Sequence, residues 1–327
     1  MRPLFAASLF SLLTLFAAAG HAQQPAANDP PPDPGEYKLT IQTRIVNVTA
    51  IVHDNDGGVV RDLQKDDFIL KVDGKPQPLR YFDVDNDLPL TLGLLVDTSG
   101  SQTIYAEQER AASHTFLKQM LTRPQDRAFL ERFDYKASIL HKLTSDTAAL
   151  DRALALLIDP PGTQARGGTL LWDATVATLF QIVSKEPGRR ALIIMTDGED
   201  AGSKLTLQDA ITAALMNDVA IYSILYTEKN IGYLGPMNPQ LRQAMPKTFV
   251  GPYSMEVLSQ TTGGRAFAVS PTMPIEKIFA AIEEDLRSEY RFSFTPVAAP
   301  VNTFHKIEVK TKHGHYDIHA RSGYYAK

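Results

Sequence analysis

The chain has 327 residues, of which 44% are hydrophobic and 21% charged, with a net charge of −4. That length carries one large domain with a sizeable core plus a smaller module, and the composition is globular rather than disordered. The near-balanced charge gives no basic surface for nucleic acid or an acidic bilayer. The absence of cysteine excludes disulfides, thiolate metal sites and the lipidated cysteine of a bacterial lipoprotein.

Residues 1–22 read as a secretory signal. Arg2 supplies a positive start, residues 4–19 are uncharged and largely apolar, and Gly20-His21-Ala22 offers small residues where cleavage needs them. Cleavage after Ala22 is expected to leave a secreted, periplasmic or surface protein with no membrane span. The alternative is an uncleaved anchor, although the run is short for a span of about 20 residues. Residues 23–36, with Pro30-Pro31-Pro32 and Pro34, read as an extended linker.

Residues 37–86 read as a β region. Leu39 and Ile41 alternate with polar residues, then the phase flips and Val46, Val48, Ala50 and Val52 alternate. Asp56-Gly57-Gly58 and Asp73-Gly74 are turn signals, Phe68, Leu70 and Val72 mark another strand, and no helix of useful length is expected.

Residues 87–288 have a different rhythm. Short strands are expected at 90–96, 128–133, 191–196 and 219–225, two of them nearly continuous apolar runs of the kind covered on both faces. Helical patterns lie at about 104–121, from 146 onward, at 174–183, at 207–216 and at 274–289. Residues 228–252, rich in Gly and Pro, read as a long surface insertion. Alternation of strand and helix predicts an α/β fold with a doubly wound, mostly parallel sheet. Strands return in residues 289–327. The simplest assembly is a β-sandwich made from both ends of the chain, with the α/β domain inserted; two separate β pieces are the alternative.

The chemistry concentrates after the first α/β strand. Asp97-Thr98-Ser99-Gly100-Ser101 places a carboxylate and two hydroxyls at alternate positions. In an open α/β sheet, ligands bind beyond the carboxyl ends of the strands. All-oxygen ligation suits a hard cation such as Mg²⁺. Gly167-Gly168-Thr169 adds a hydroxyl on a second loop, and Asp197-Gly198-Glu199 adds a carboxylate after another buried strand.

Together these residues resemble a von Willebrand factor A domain with its metal-ion-dependent adhesion site. Asp97, Ser99, Ser101, Thr169 and Asp197 occupy the motif's five positions, and the surroundings Gly167 to Ala174 and Thr196 to Gly198 match as well. The resemblance implies that Ser99 and Ser101 touch the ion, that Thr169 does so directly or through water, and that Asp97 and Asp197 act through coordinated waters. It implies Mg²⁺, with Mn²⁺ or Ca²⁺ as alternatives. It also implies a protein partner presenting Asp or Glu, with no chemical turnover. Gly100, Gly168, Trp172 and Glu199 are expected on the ligand-binding rim. The flanks, including Asp66-Asp67-Phe68, residues 286–290 (LRSEY) and residues 320–325 (ARSGYY), are similar to secreted von Willebrand A-related proteins of Acidobacteria.

Other readings stand beside these. Glu199 and Asp200 either touch the metal or are solvated acids at the rim. Trp172 either meets a ligand or packs in the core. His313 and His315, with His305 and His319 nearby, would form a zinc site only if three met on one face. Tyr233 and Met237 either meet a partner or tip a loop. A phosphotransferase would use Asp97 as nucleophile but wants an acid/base partner where Ser99 stands. The remaining alternative is a structural scaffold in a periplasmic or surface assembly, with metal serving stability only.

Overall fold

The computed structural model describes residues 45–84, 88–157, 167–226 and 247–327. The leader, the Pro-rich stretch, the alternation at Leu39 and Ile41, and Tyr233 and Met237 lie outside them.

In chain order the strands are β1 (Val46–His53), β2 (Phe68–Val72), β3 (Lys75–Gln77), β4 (Tyr81–Asp83), β5 (Leu90–Asp97), β6 (Arg127–Phe133), β7 (Ala137–Thr144), β8 (Arg189–Thr196), β9 (Ala220–Leu225), β10 (Ala266–Ala268), β11 (Tyr290–Phe294), β12 (Phe304–Thr311), β13 (Asp317–Ala320) and β14 (Gly323–Tyr325). The helices are α1 (Ala106–Met120), α2 (Thr147–Leu154), α3 (Leu171–Gln181), α4 (Leu207–Asn217), α5 (Lys247–Thr262) and α6 (Ile275–Arg287).

The central sheet has the order β10-β9-β8-β5-β6-β7 and is parallel except for β7, which runs antiparallel to β6. Alternate residues of its strands feed two cores. Leu92, Leu94, Val96, Ile193 and Met195 pack under α1, α2 and α6, where Phe116 stacks on Phe279 at 4.3 Å. Leu95, Leu192, Ile194 and Ile221 pack under α3, α4 and α5. Helices cover both faces, so the sheet is doubly wound as the apolar runs predict.

The two ends of the chain build the sandwich. One sheet has the order β13-β1-β11-β4 and the other β14-β12-β2-β3, so each interleaves strands from before and after the α/β insert. Val48, Ala50 and Val52 meet Phe68, Leu70, Phe292, Phe294 and Ile307 between the sheets. β1 is covered on both sides, because Ile51 belongs to the α/β core and His53, 3% exposed, bonds Asp285 of α6. Opposite, the Tyr325 hydroxyl lies 3.3 Å from Thr212 of α4. The two-piece alternative for the β material does not hold.

Three elements depart from the sequence reading. β7 is an edge strand with three of its eight residues exposed and none buried, so its apolar residues are interrupted by Ser138, His141 and Lys142. β10 has three residues, too few to show a period. The expected insertion at 228–252 ends early, because α5 begins at Lys247 and holds Pro252 inside it. Gly251 looks like a breaker in the sequence but is a contact point. A Cβ on it would sit 2.7 Å from the backbone of Gly198, and Gly198 has φ of +82°. The pair lets α5 press against the loop that follows β8.

Among the described residues no helix is long and apolar enough to cross a membrane.

Candidate metal centre

β5 and β8 are neighbours at the middle of the sheet, and the chain leaves them toward opposite faces, into α1 and α4. This is the switch point of a doubly wound sheet, where a crevice opens beyond the strand ends. Asp97 ends β5, and Asp197 follows the last residue of β8.

Asp97 is 1% exposed. One carboxylate oxygen accepts the Ser99 backbone N–H at 2.9 Å, which closes the turn that carries both serines. The other accepts the Thr196 hydroxyl at 2.7 Å, and Thr196 Oγ1 accepts the Gly198 N–H at 3.0 Å. A single buried carboxylate thereby shapes both loops.

Above it, the Ser101 hydroxyl donates to Asp197 at 2.7 Å and lies 3.3 Å from Ser99 Oγ. The second Asp197 oxygen accepts the Glu199 N–H at 3.0 Å. Thr169, 8% exposed, joins through its backbone: its N–H donates to Ala201 at 3.0 Å and its carbonyl accepts from Ala201 at 2.9 Å. Leu170 N–H donates to the Asp134 carbonyl at 2.8 Å, lacing the same loop to the end of β6. Gly168 precedes Thr169 with φ of +142° and lies against the Ala201 carbonyl, a position that a side chain would crowd. The five predicted residues are thus linked: four through side chains and the fifth through the Ala201 ladder.

The predicted rim divides. Gly100 and Glu199 are exposed, and Gly168 is half-buried beside Thr169. Trp172 is not on the rim. It is 8% exposed and packs with Leu171, Ala174 and Leu179 in the core beneath α3, because the first turn of that helix points inward. Asp200 accepts from the Ser203 hydroxyl and from the Trp172 N–H, which ties it to the start of α3.

Two residues at the centre escaped the sequence reading. Gln102, 2% exposed, donates from its amide to Asp197 at 2.9 Å and to Ser101 Oγ at 3.4 Å, while its Oε1 is buried without a protein partner. Glu109 is 1% exposed, and its Oε1 is likewise unpartnered. The signal for Glu109 was present: it lies on the stripe 109, 112, 113, 116, 117 and 120 that α1 buries. An acid on an apolar stripe is a flag in itself. Nothing comparable marks Gln102.

The electrostatics call for a cation. Burial pushes Asp97 up to about 6, partly offset by its hydrogen bonds from Ser99 and Thr196, with the charge of Asp197 adding to the rise. Burial, with the charge of Asp97, pushes Glu109 up to about 8. Among the described residues no Lys, Arg or His forms an ion pair with Asp97, Glu109 or Asp197. Buried carboxylates left without a counter-charge are costly. Two hydroxyls and two carboxylates meet at one crevice, with Thr169 on the adjoining loop; such oxygens are a donor set for a hard divalent ion, so the residues present fit one.

The histidines do not assemble a second centre. His305 pairs with Asp73 at 2.8 Å and His319 with Asp317 at 3.1 Å. Gly314 turns the chain between His313 and His315 with φ of +82°. Among the described residues no group of three or more His, Asp or Glu is placed to hold a metal.

Neither a protein-family model nor a curated protein sequence matches the chain. Solved structures do. A von Willebrand factor type A protein from Catenulispora acidiphila aligns with 85% of this chain and 73% of its own, at 11% identity and a TM-score of 0.46. The conserved hypothetical protein BatB from Bacteroides thetaiotaomicron aligns with 61% of this chain and 100% of its own, at 16% identity and a TM-score of 0.44. Proximal thread matrix protein 1 from the mussel byssus, in a structure with a zinc-occupied MIDAS motif, aligns with 66% of this chain and 50% of its own, at 14% identity and a TM-score of 0.46. At such identities the ligands of those proteins are not transferred to this chain. Its own strand order and its helices on both faces make the α/β body a doubly wound, mostly parallel sheet, the architecture it has in common with these structures.

Proposed function

We propose that this protein is an exported, metal-dependent binding module that captures a carboxylate of a protein partner and performs no chemical reaction. The observation that carries this reading is the buried Asp97 carboxylate. Among the described residues it has no basic partner, and it is bonded to Ser99 and to Thr196 beside the Ser101–Asp197 pair.

Ser99, Ser101 and Thr169 would hold the ion, and Asp97 and Asp197 would hold its waters. Gln102 orients Asp197 and Ser101 from the side. A divalent cation bound there supplies an electrophilic position for an incoming Glu or Asp carboxylate, because most of its direct protein ligands are neutral. The mostly neutral shell is what distinguishes capture from tight burial of the ion. Ser99 stands where a phosphotransferase would place the acid/base partner of its Asp nucleophile, which supports binding rather than turnover.

Titration calorimetry on the metal-free full chain tests the metal. Mg²⁺, Mn²⁺ or Ca²⁺ is expected to fill one site, and Asp97→Ala or Ser101→Ala to weaken it by about 10–100-fold or more. A pull-down from the native cell envelope tests the partner. Capture with Mg²⁺ that is lost in EDTA and in Asp97→Ala supports the reading; equal recovery in every condition overturns it. If Asp97→Ala lowers the melting temperature while capture persists, the metal serves stability alone.

A further inference from the structure

A second polar recess lies where the α/β body meets the sandwich. It encloses about 380 Å³ and is lined by Glu256 and Gln260 of α5, Arg265 before β10, and Asp317 and His319 of β13. That volume falls within the roughly 300–1,000 Å³ typical of small-molecule sites. None of these side chains takes part in the metal centre.

Its lining is charged in both senses and held in place. Arg265 NH1 donates to both Asp285 oxygens at 3.2 Å and lies 3.0 Å from His53 Nε2, and Asp285 is 1% exposed on its side chain. The same guanidinium lies 4.7 Å above the Phe267 ring. One nitrogen is thereby clamped and the plane fixed. The side chain remains 24% exposed and lines the recess, and among the described residues its guanidinium bonds run through NH1, which leaves the other edge for a ligand. A fixed guanidinium fork with a free edge is suited to a carboxylate.

The opposite charge comes from two other elements. Asp317 is bonded to His319 at 3.1 Å, which leaves one carboxylate oxygen free and, with the charges of His53 and Arg265, holds its carboxyl below the usual range. Glu256 accepts the Gln260 amide at 3.0 Å on one oxygen and offers the other. Two carboxylates and one open guanidinium edge face a volume of a few residues.

We propose that this recess binds a small zwitterion of amino-acid or dipeptide size, its ammonium on Asp317 and Glu256 and its carboxylate on Arg265. The clamp from Asp285 and Phe267 prepays the ordering of the arginine, the main entropic cost of such a contact.

Calorimetric titration of L-alanyl-L-alanine into the full chain near neutral pH tests this. One saturable site of about millimolar affinity or tighter is expected. The N-acetylated and the C-amidated dipeptides are each expected to bind about tenfold weaker or less, because each lacks one charged end. Asp317→Asn, at an exposed position, and Glu256→Gln, half-buried but isosteric, are expected to weaken the dipeptide about tenfold while melting as the parent does. Arg265→Lys keeps a cation for Asp285 but removes the fork, and is expected to weaken the dipeptide without affecting any ammonium-only probe. EDTA should change nothing, which separates this recess from the metal centre. The proposal is overturned if no dipeptide binds, if all three probes bind alike, if the substitutions have no effect, or if EDTA abolishes the binding.

Discussion

Asp97 carries two loads, because it shapes both loops of the candidate metal centre and is buried with no basic partner among the described residues. Its carboxyl sits at about 6 in the folded chain against 3.8 ordinarily. The folded state therefore binds the proton more tightly than the unfolded state, and stability without metal falls as pH rises from about 4 through 6. The loss is complete above about pH 6 and is on the order of 3 kcal/mol. Glu109, Glu131 and Glu289, also raised by burial, act in the same sense up to about pH 8. Asp97→Asn isolates the first contribution. In EDTA the variant should melt higher than the parent above pH 6, and the difference should vanish near pH 4. With Mg²⁺ the parent should recover and the variant should not. Metal affinity should likewise fall as pH drops through 6, because the proton competes for Asp97. Identical melting curves for parent and variant at neutral pH in EDTA would rule this account out. All five ligand candidates were legible because oxygen side chains at strand ends stand out against apolar runs. Trp172 was placed on the rim because a helix's first turn can face inward or outward and composition does not say which; Gln102 was passed over because nothing in the sequence marks it.

Helix ends and glycine contacts position the loops. Thr206 caps α4 by accepting the Asp209 N–H at 3.3 Å, and Asp209 returns a bond to the Thr206 N–H at 2.8 Å. Thr206→Ala should cost about 1 kcal/mol in chemical denaturation and leave metal affinity alone. Gly198→Ala should do more, since its Cβ would stand 2.6 Å from the Gly251 backbone at a positive φ. A loss of about 2–4 kcal/mol is expected, with weaker metal binding, because Asp197 is the adjacent residue. An unchanged melting curve for Gly198→Ala would refute the contact. At this scale the sequence served well for long, periodic elements and poorly elsewhere. The stripe Ile275, Ile278, Phe279, Ile282 and Leu286 announces α6, and all five are buried. α5 was hidden because Gly251 and Pro252, the usual breakers, sit inside it. β7 was hidden because an edge strand has no reason to be apolar on its open face.

Across the whole molecule, the sandwich and the α/β body share β1, so they should unfold together. Phe292→Ala, at 1% exposure in the sandwich core, should cost about 3–5 kcal/mol. Heat should still produce one transition by both far- and near-ultraviolet circular dichroism; two separated transitions would show that the sandwich melts independently. A single sandwich from both ends was readable as the simplest assembly, but the order of its strands was not, since pairing partners far apart in a chain leave no local trace. The His53–Asp285 and Asp73–His305 contacts each span 232 residues, and Arg321–Asn47 spans 274. Synthesis runs in one direction, so β1 and β2 exist long before the strands that pair with them. Val48, Val52, Phe68 and Leu70 have no lasting shelter until the final forty or so residues are made. The α/β insert, whose strands pair over shorter stretches, can assemble first and offer Ile51 a surface. The last residues, including Ser322-Gly323-Tyr324-Tyr325, then close the structure. A nascent chain halted before residue 290 should be captured by chaperones and cut by protease within residues 45–84, while the loops of its candidate metal centre are already made.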